Sequence, residues 1–108
     1  MRRIATHFIW YQHVYHMHYV ELDDEGKFVG IYPLTEEISG TEFYDGVLIP
    51  CLQSKKITKQ ELFDSWIEKT KEVIPGILVD IYHLTGLSLS AAKLGTNDSS
   101  SDCHIQRL

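Results

Sequence analysis

Alternating apolar and polar positions dominate the first fifty residues of the chain. Residues 4–11 are apolar on both alternating sets, which is typical of a strand covered on both faces. Gln12 and His13 interrupt the pattern, so we place a turn or bulge there before alternation resumes. On an extended second strand, one face would carry Val14, His16, His18, Val20 and Leu22, and the other Tyr15, Met17, Tyr19 and Glu21.

Two short polar segments interrupt the β pattern. Residues 23–26, Asp-Asp-Glu-Gly, lie between runs rich in β-branched and aromatic side chains, which predicts a β-hairpin. Residues 27–32 would form its returning strand, and Pro33 would end that strand. The pair Asp45 and Gly46 also lies between short apolar runs and predicts a second hairpin or tight turn.

The period of the pattern then changes to that of a helix. Thr58 and Glu61 form a capping box, and Pro75 with Gly76 supplies a stop signal, so we predict one amphipathic helix over 58–74. Its aromatic side chains are expected to lie against the sheet. The apolar positions, spaced by three and four, are Leu62, Phe63, Trp66, Ile67, Thr70, Val73 and Ile74.

The remaining sequence returns to a strand pattern. Residues 77–84 predict a strand, 88–94 are ambiguous between a helical turn and a connector, 95–102 are a polar loop, and 103–108 predict a short last strand. In that last strand Ile105 would face one way and Leu108 the other.

Together these elements predict a mainly β fold within a single domain, 1–108. We expect about six to eight strands in a small sandwich or partly closed barrel, with one amphipathic helix packed on it. The domain would consist of N-terminal strands and hairpins (1–50), the helix (58–74) and C-terminal strands (77–108).

Composition narrows the class of protein. Of the 108 residues, 44% are hydrophobic and 23% charged, which is typical of a globular domain. The formal net charge of −5 and the scattered basic residues disfavour nucleic acid as a partner. No apolar run approaches the roughly 18 residues of a membrane span. The N-terminal Arg pair is not followed by a small-residue cleavage site. We therefore expect a soluble cytoplasmic protein without membrane contact.

Several stretches, taken in order, resemble parts of one known family. An opening strand is resembled by residues 3–9, a hairpin with an acidic-Gly turn by residues 20–28, and a strand ending in Pro by residues 42–50. Two closing strands are resembled by residues 75–81 and 104–108. The chain thus resembles the composite β-sandwich of amidohydrolase-superfamily enzymes of the deaminase and chlorohydrolase type. That sandwich is built from segments on both sides of a catalytic, metal-binding TIM barrel.

The sequence departs from that family where its catalytic part begins. In the family, the Pro that ends the last N-terminal strand is followed by Gly and a metal-binding His-x-His pair. Here Pro50 is followed by Cys-Leu-Gln-Ser-Lys-Lys, and only residues 51–74 separate the matching parts. A TIM barrel needs about 250 residues. The barrel and its Lys, His and Asp ligands are therefore expected to be absent, and the resemblance assigns no catalytic residue.

Two histidines are the main chemical candidates. His16 and His18 would point the same way on one strand, and His7 or His13 could complete a site for zinc, copper or nickel. The alternative is that these histidines and their neighbouring tyrosines form an amphipathic sheet surface that serves as an oligomer contact.

The two cysteines are not expected to be nucleophiles. Cys51 and Cys103 are too few and too far apart to indicate a disulfide framework or a zinc knuckle. Cys103 and His104 are neighbours on a predicted strand, where adjacent side chains face opposite sides.

We therefore expect a non-catalytic interaction or assembly module without a cofactor, forming a homodimer or binding a protein partner. The alternative is a small metal- or ligand-binding protein that holds zinc or another transition metal at His16 and His18. A third possibility is a residual hydrolase acting on C–N bonds, which rests on the family resemblance alone.

Overall fold

A computed structural model describes residues 1–35, 40–53, 63–86 and 104–108. The described part of the chain is mainly β with one short helix, which confirms the predicted fold class. The start of the predicted helix and the loop before the last strand lie outside the described residues. The elements are β1 Arg2–Tyr11, β2 His13–Leu22, β3 Phe28–Pro33, β4 Thr41–Leu52, α1 Phe63–Thr70, β5 Val79–Thr85 and β6 His104–Arg107.

The six strands form one mixed sheet in the order β3-β2-β1-β4-β5-β6. Only β1 and β4 pair in parallel. An isolated antiparallel bridge joins Lys27 to Leu78. Beside it, the Phe28 N–H donates to the Ile77 carbonyl at 2.8 Å. The sheet therefore curls until the start of β3 meets the segment before β5, but it is not a closed barrel.

Each face of the sheet buries its own apolar cluster. On what we call the helix face, α1 packs Trp66 against Trp10 of β1, with ring centroids 5.2 Å apart. On what we call the crossover face, Val73 and the segment after α1 cover the sheet. The helix-face cluster is Phe8, Trp10, Val47, Ile49, Cys51, Trp66, Ile67, Tyr82 and Leu84. The crossover-face cluster is Ile4, Ile9, Val20, Leu22, Phe28, Leu48, Val73, Val79 and Ile81.

The side-chain alternation of β2 changes phase in mid-strand. Val14 packs on the helix face, whereas Val20 and Leu22 belong to the crossover-face cluster. In a regular strand these three even-numbered residues would share a face. Met17, which lies between them, has a φ of 56°, a left-handed conformation that reverses the direction of the following side chains. The predicted single face from Val14 to Leu22 is therefore wrong.

The second predicted hairpin is also absent, because β4 runs through its Asp-Gly pair without turning. The parallel ladder with β1 pairs Thr6 with Tyr44 and then Phe8 with Val47, so β4 contains one additional residue. This is a β-bulge, and Gly46 supplies its left-handed conformation with a φ of 94°. Pairing with β1 holds β4 extended on both sides of the bulge.

The helix ends at Thr70, before the predicted end at Ile74. The hydroxyl of Thr70 donates to the Ile67 carbonyl at 2.7 Å and accepts the Gln12 N–H at 2.9 Å. The side chain thus ties the last turn of α1 to the connection between β1 and β2. No helix in the described part of the chain is long and apolar enough to span a membrane.

Replacement of Gln12 by glycine is expected to stabilise the protein. Gln12 is exposed and has a φ of 63°, a conformation that is strained for residues with a Cβ. We expect Gln12→Gly to raise the free energy of unfolding by about 0.5–1 kcal/mol, measured by urea denaturation. The matched control is Gln106→Gly in β6, also exposed but without a positive φ, which should be destabilising. If both variants lose the same amount of stability, the backbone of Gln12 is not strained.

Candidate functional site

The two candidate histidines lie on opposite faces of the sheet. The His16 ring packs against Phe8 of the helix-face cluster, with centroids 5.2 Å apart. The His18 ring packs against Tyr15, which lies against the crossover-face cluster, at 4.9 Å. The expectation that His16 and His18 point the same way is wrong, because the left-handed Met17 lies between them.

The structure instead gathers a different set of side chains on the crossover face. The Tyr15 ring contacts two imidazoles, with centroid distances of 4.3 Å to His13 and 4.9 Å to His18. We call these three residues the imidazole cluster. Nδ1 of His18 is 2.9 Å from the His16 carbonyl oxygen. A carbonyl can only accept, so Nδ1 of His18 carries a hydrogen.

One copy of the chain does not complete a metal site within its described residues. They contain no group of three or more His, Cys, Asp or Glu side chains that could hold a metal ion. His7, which was considered as a third ligand, lies against Phe43 at 5.3 Å and has Nδ1 3.7 Å from the Asp45 carboxylate. Of the two further histidines considered, only His13 lies near His18.

The outer side of β2 is only partly covered by β3. The ladder between them runs from Leu22 opposite Phe28 to His18 opposite Pro33. One further bond follows, in which the Leu34 N–H donates to the Met17 carbonyl at 2.9 Å. Beyond it, no described residue pairs with the outer side of residues 13–16. We call this stretch, His-Val-Tyr-His, the free edge of β2.

The free edge contains no charged residue and no proline. Natural edge strands are often protected by Lys, Pro or charged side chains, and residues 13–16 include none of these. At its end, Tyr32 and Pro33 close β3, and Tyr32 is 40% exposed. Exposed backbone polar groups therefore lie beside apolar and aromatic side chains.

Charged pairs lie at the other end of β1 and β2. The Arg2 guanidinium donates to both oxygens of Glu42, at 2.6 and 3.0 Å, and the Tyr44 hydroxyl donates to the same carboxylate at 3.1 Å. The hydrogen bond from Arg2 is the main reason that the pKa of Glu42 lies below its usual value. Arg3 likewise donates to Glu21 at 3.0 Å. Both ion pairs lie at the end of β2 away from residues 13–16.

One buried histidine was not anticipated from the sequence. Nε2 of His83 is within hydrogen-bond distance of the Asp45 backbone carbonyl, at the β4 bulge. Nδ1 of the same ring is buried without a hydrogen-bond partner among the described residues. No local sequence signal indicates this role, because it depends on pairing between β4 and β5. The position of His83 indicates that it supports the bulge.

Cys51 is fully buried in the helix-face cluster. Cys103 lies outside the described residues, and its sequence neighbour His104 is exposed at the start of β6.

The sequence pattern did not reveal the free edge of β2, although Pro33 indicated where β3 would end.

Comparisons with protein-family models, with curated proteins and with solved structures gave no match.

Proposed function

We propose that the chain is a non-catalytic assembly module that pairs with a second copy of itself through the free edge of β2. The observation that supports this proposal is the unpaired outer side of residues 13–16 among the described residues. An edge strand presents a row of N–H and C=O groups that can form a ladder with another strand. Pairing would continue the six-stranded sheet across the two copies.

Symmetry defines one register for this pairing. Two identical antiparallel strands related by a two-fold axis perpendicular to the sheet keep equivalent faces on the same side. Centred on Tyr15, this register places Tyr15 opposite the partner's Tyr15 and Val14 opposite the partner's His16. Val14 and His16 both lie on the helix face, so the side-chain directions agree. Leu34, which lies opposite Met17, and Pro33, which lies opposite His18, limit this ladder to residues 14–16 of each copy.

Residues 13–16 themselves carry no charged side chain that would repel a second copy. Each chain carries a formal net charge of −5, so two copies repel one another over most contacts. Residues 13–16 contain no Asp, Glu, Lys or Arg, and the Arg2–Glu42 pair lies at the far end of the strands. The free edge is thus a place where two copies can meet without like charges facing each other.

The resemblance to the amidohydrolase composite sandwich is part of the proposal. It is supported by the joining of strands from both sides of α1 into one sheet, where β4 pairs with β5. The hairpin turn with the acidic residues and Gly26 also forms, and Gly26 has a φ of 84°. On this basis the module corresponds to the accessory part of those enzymes and carries no hydrolase activity.

A lysine on the free edge is expected to weaken self-association. We expect the native chain to sediment at twice its 12.5 kDa mass in a concentration series. His16→Lys should raise the dissociation constant of the dimer at least about tenfold, because it places a charge beside the two-fold axis. His16 is exposed, so the fold should persist, as checked by circular dichroism.

The matched control is His104→Lys, the same substitution at an exposed histidine of β6. It should leave the dissociation constant unchanged. A native chain that remains monomeric throughout the series, or equal effects of the two lysines, would overturn the proposed function.

A further inference from the structure

We draw no further inference here: the strongest candidate, the row of partly exposed aromatic side chains that Phe43, Tyr19 and Tyr32 form across β4, β2 and β3, carries nothing, because nothing in the described part of the structure shows what covers it.

Discussion

Replacement of Gly46 by alanine is expected to lower the free energy of unfolding by about 3 kcal/mol. Gly46 has a φ of 94°, which alanine adopts only with strain. A Cβ at this position would also lie 2.4 Å from the backbone carbonyl oxygen of Leu84. That oxygen belongs to β5, so the contact can be relieved only by separating β4 from β5. Urea denaturation measures the loss.

Gly26→Ala provides the matched control. Gly26 also has a positive φ, 84°, but a Cβ there would meet nothing within 4 Å. In this variant the free energy of unfolding should fall by only about 1–2 kcal/mol, which is the cost of a left-handed backbone for a residue with a Cβ. If Gly46→Ala loses no more stability than Gly26→Ala, then β5 does not pack closely against the bulge at Gly46.

Replacement of Trp66 by alanine is expected to lower the free energy of unfolding by about 3–5 kcal/mol. Trp66 is fully buried, and its ring lies 5.2 Å from that of Trp10. Its removal would leave a cavity between α1 and the sheet that neighbouring side chains can fill only in part. Because domains of this size have total stabilities of about 5–15 kcal/mol, the variant should be largely destabilised at 37 °C.

Phe43→Ala is the control for the loss of an aromatic side chain. Phe43 is 50% exposed, so its removal should cost about 1 kcal/mol or less. A thermal melt of the two variants should place Trp66→Ala far below Phe43→Ala. Similar melting temperatures would show that Trp66 does not anchor α1 to the sheet.

Local sequence patterns correctly predicted those elements whose geometry depends on residues close together in the sequence. The turn that contains Asp23 forms because its carboxylate accepts the N–H groups of Glu25 and Lys27, both at 2.9 Å. The pKa of Asp23 is lowered chiefly by the backbone N–H of Lys27. The apolar face of the helix likewise placed Trp66 against the sheet. These signals lie within a few residues of one another, so the sequence contains them directly.

Long-range pairing decided the elements that were predicted wrongly. An Asp-Gly pair favours any structure that needs a left-handed residue. A hairpin turn and a β-bulge both need such a residue, so the pair does not distinguish between them. Gly46 became part of a bulge because β1 pairs with β4 on either side of it. Met17 carries no local signal for its φ of 56°, and that single conformation moved His16 and His18 to opposite faces. Strict alternation along β2 could not reveal this.

The candidate site could be predicted only in part. The sequence indicated the histidine-rich strand, and the assembly role stays a proposal, but the free edge arises from the relative lengths of β2 and β3. Pro33 indicated where β3 ends, whereas the register that leaves residues 13–16 beyond it depends on the hairpin pairing of His18 with Pro33. The neighbours of His18 likewise follow from three-dimensional packing.

The most direct test of the assembly through the free edge is a cysteine at its centre. In the proposed register Tyr15 lies opposite the partner's Tyr15, and directly opposed residues of antiparallel strands have Cα atoms about 4.5–5.5 Å apart, within the range of a disulfide. Oxidised Tyr15→Cys should therefore run at twice the 12.5 kDa chain mass without reductant.

All chains in this test, including Tyr15→Cys, also carry Cys103→Ser; the controls are the chain with no added cysteine, whose remaining Cys51 is buried, and Gln106→Cys, which places an exposed cysteine on the opposite edge strand. Both should remain at the mass of a single chain under the same oxidation. A folded Tyr15→Cys that also stays at that mass, or cross-linking as efficient at Gln106→Cys, would contradict pairing through β2.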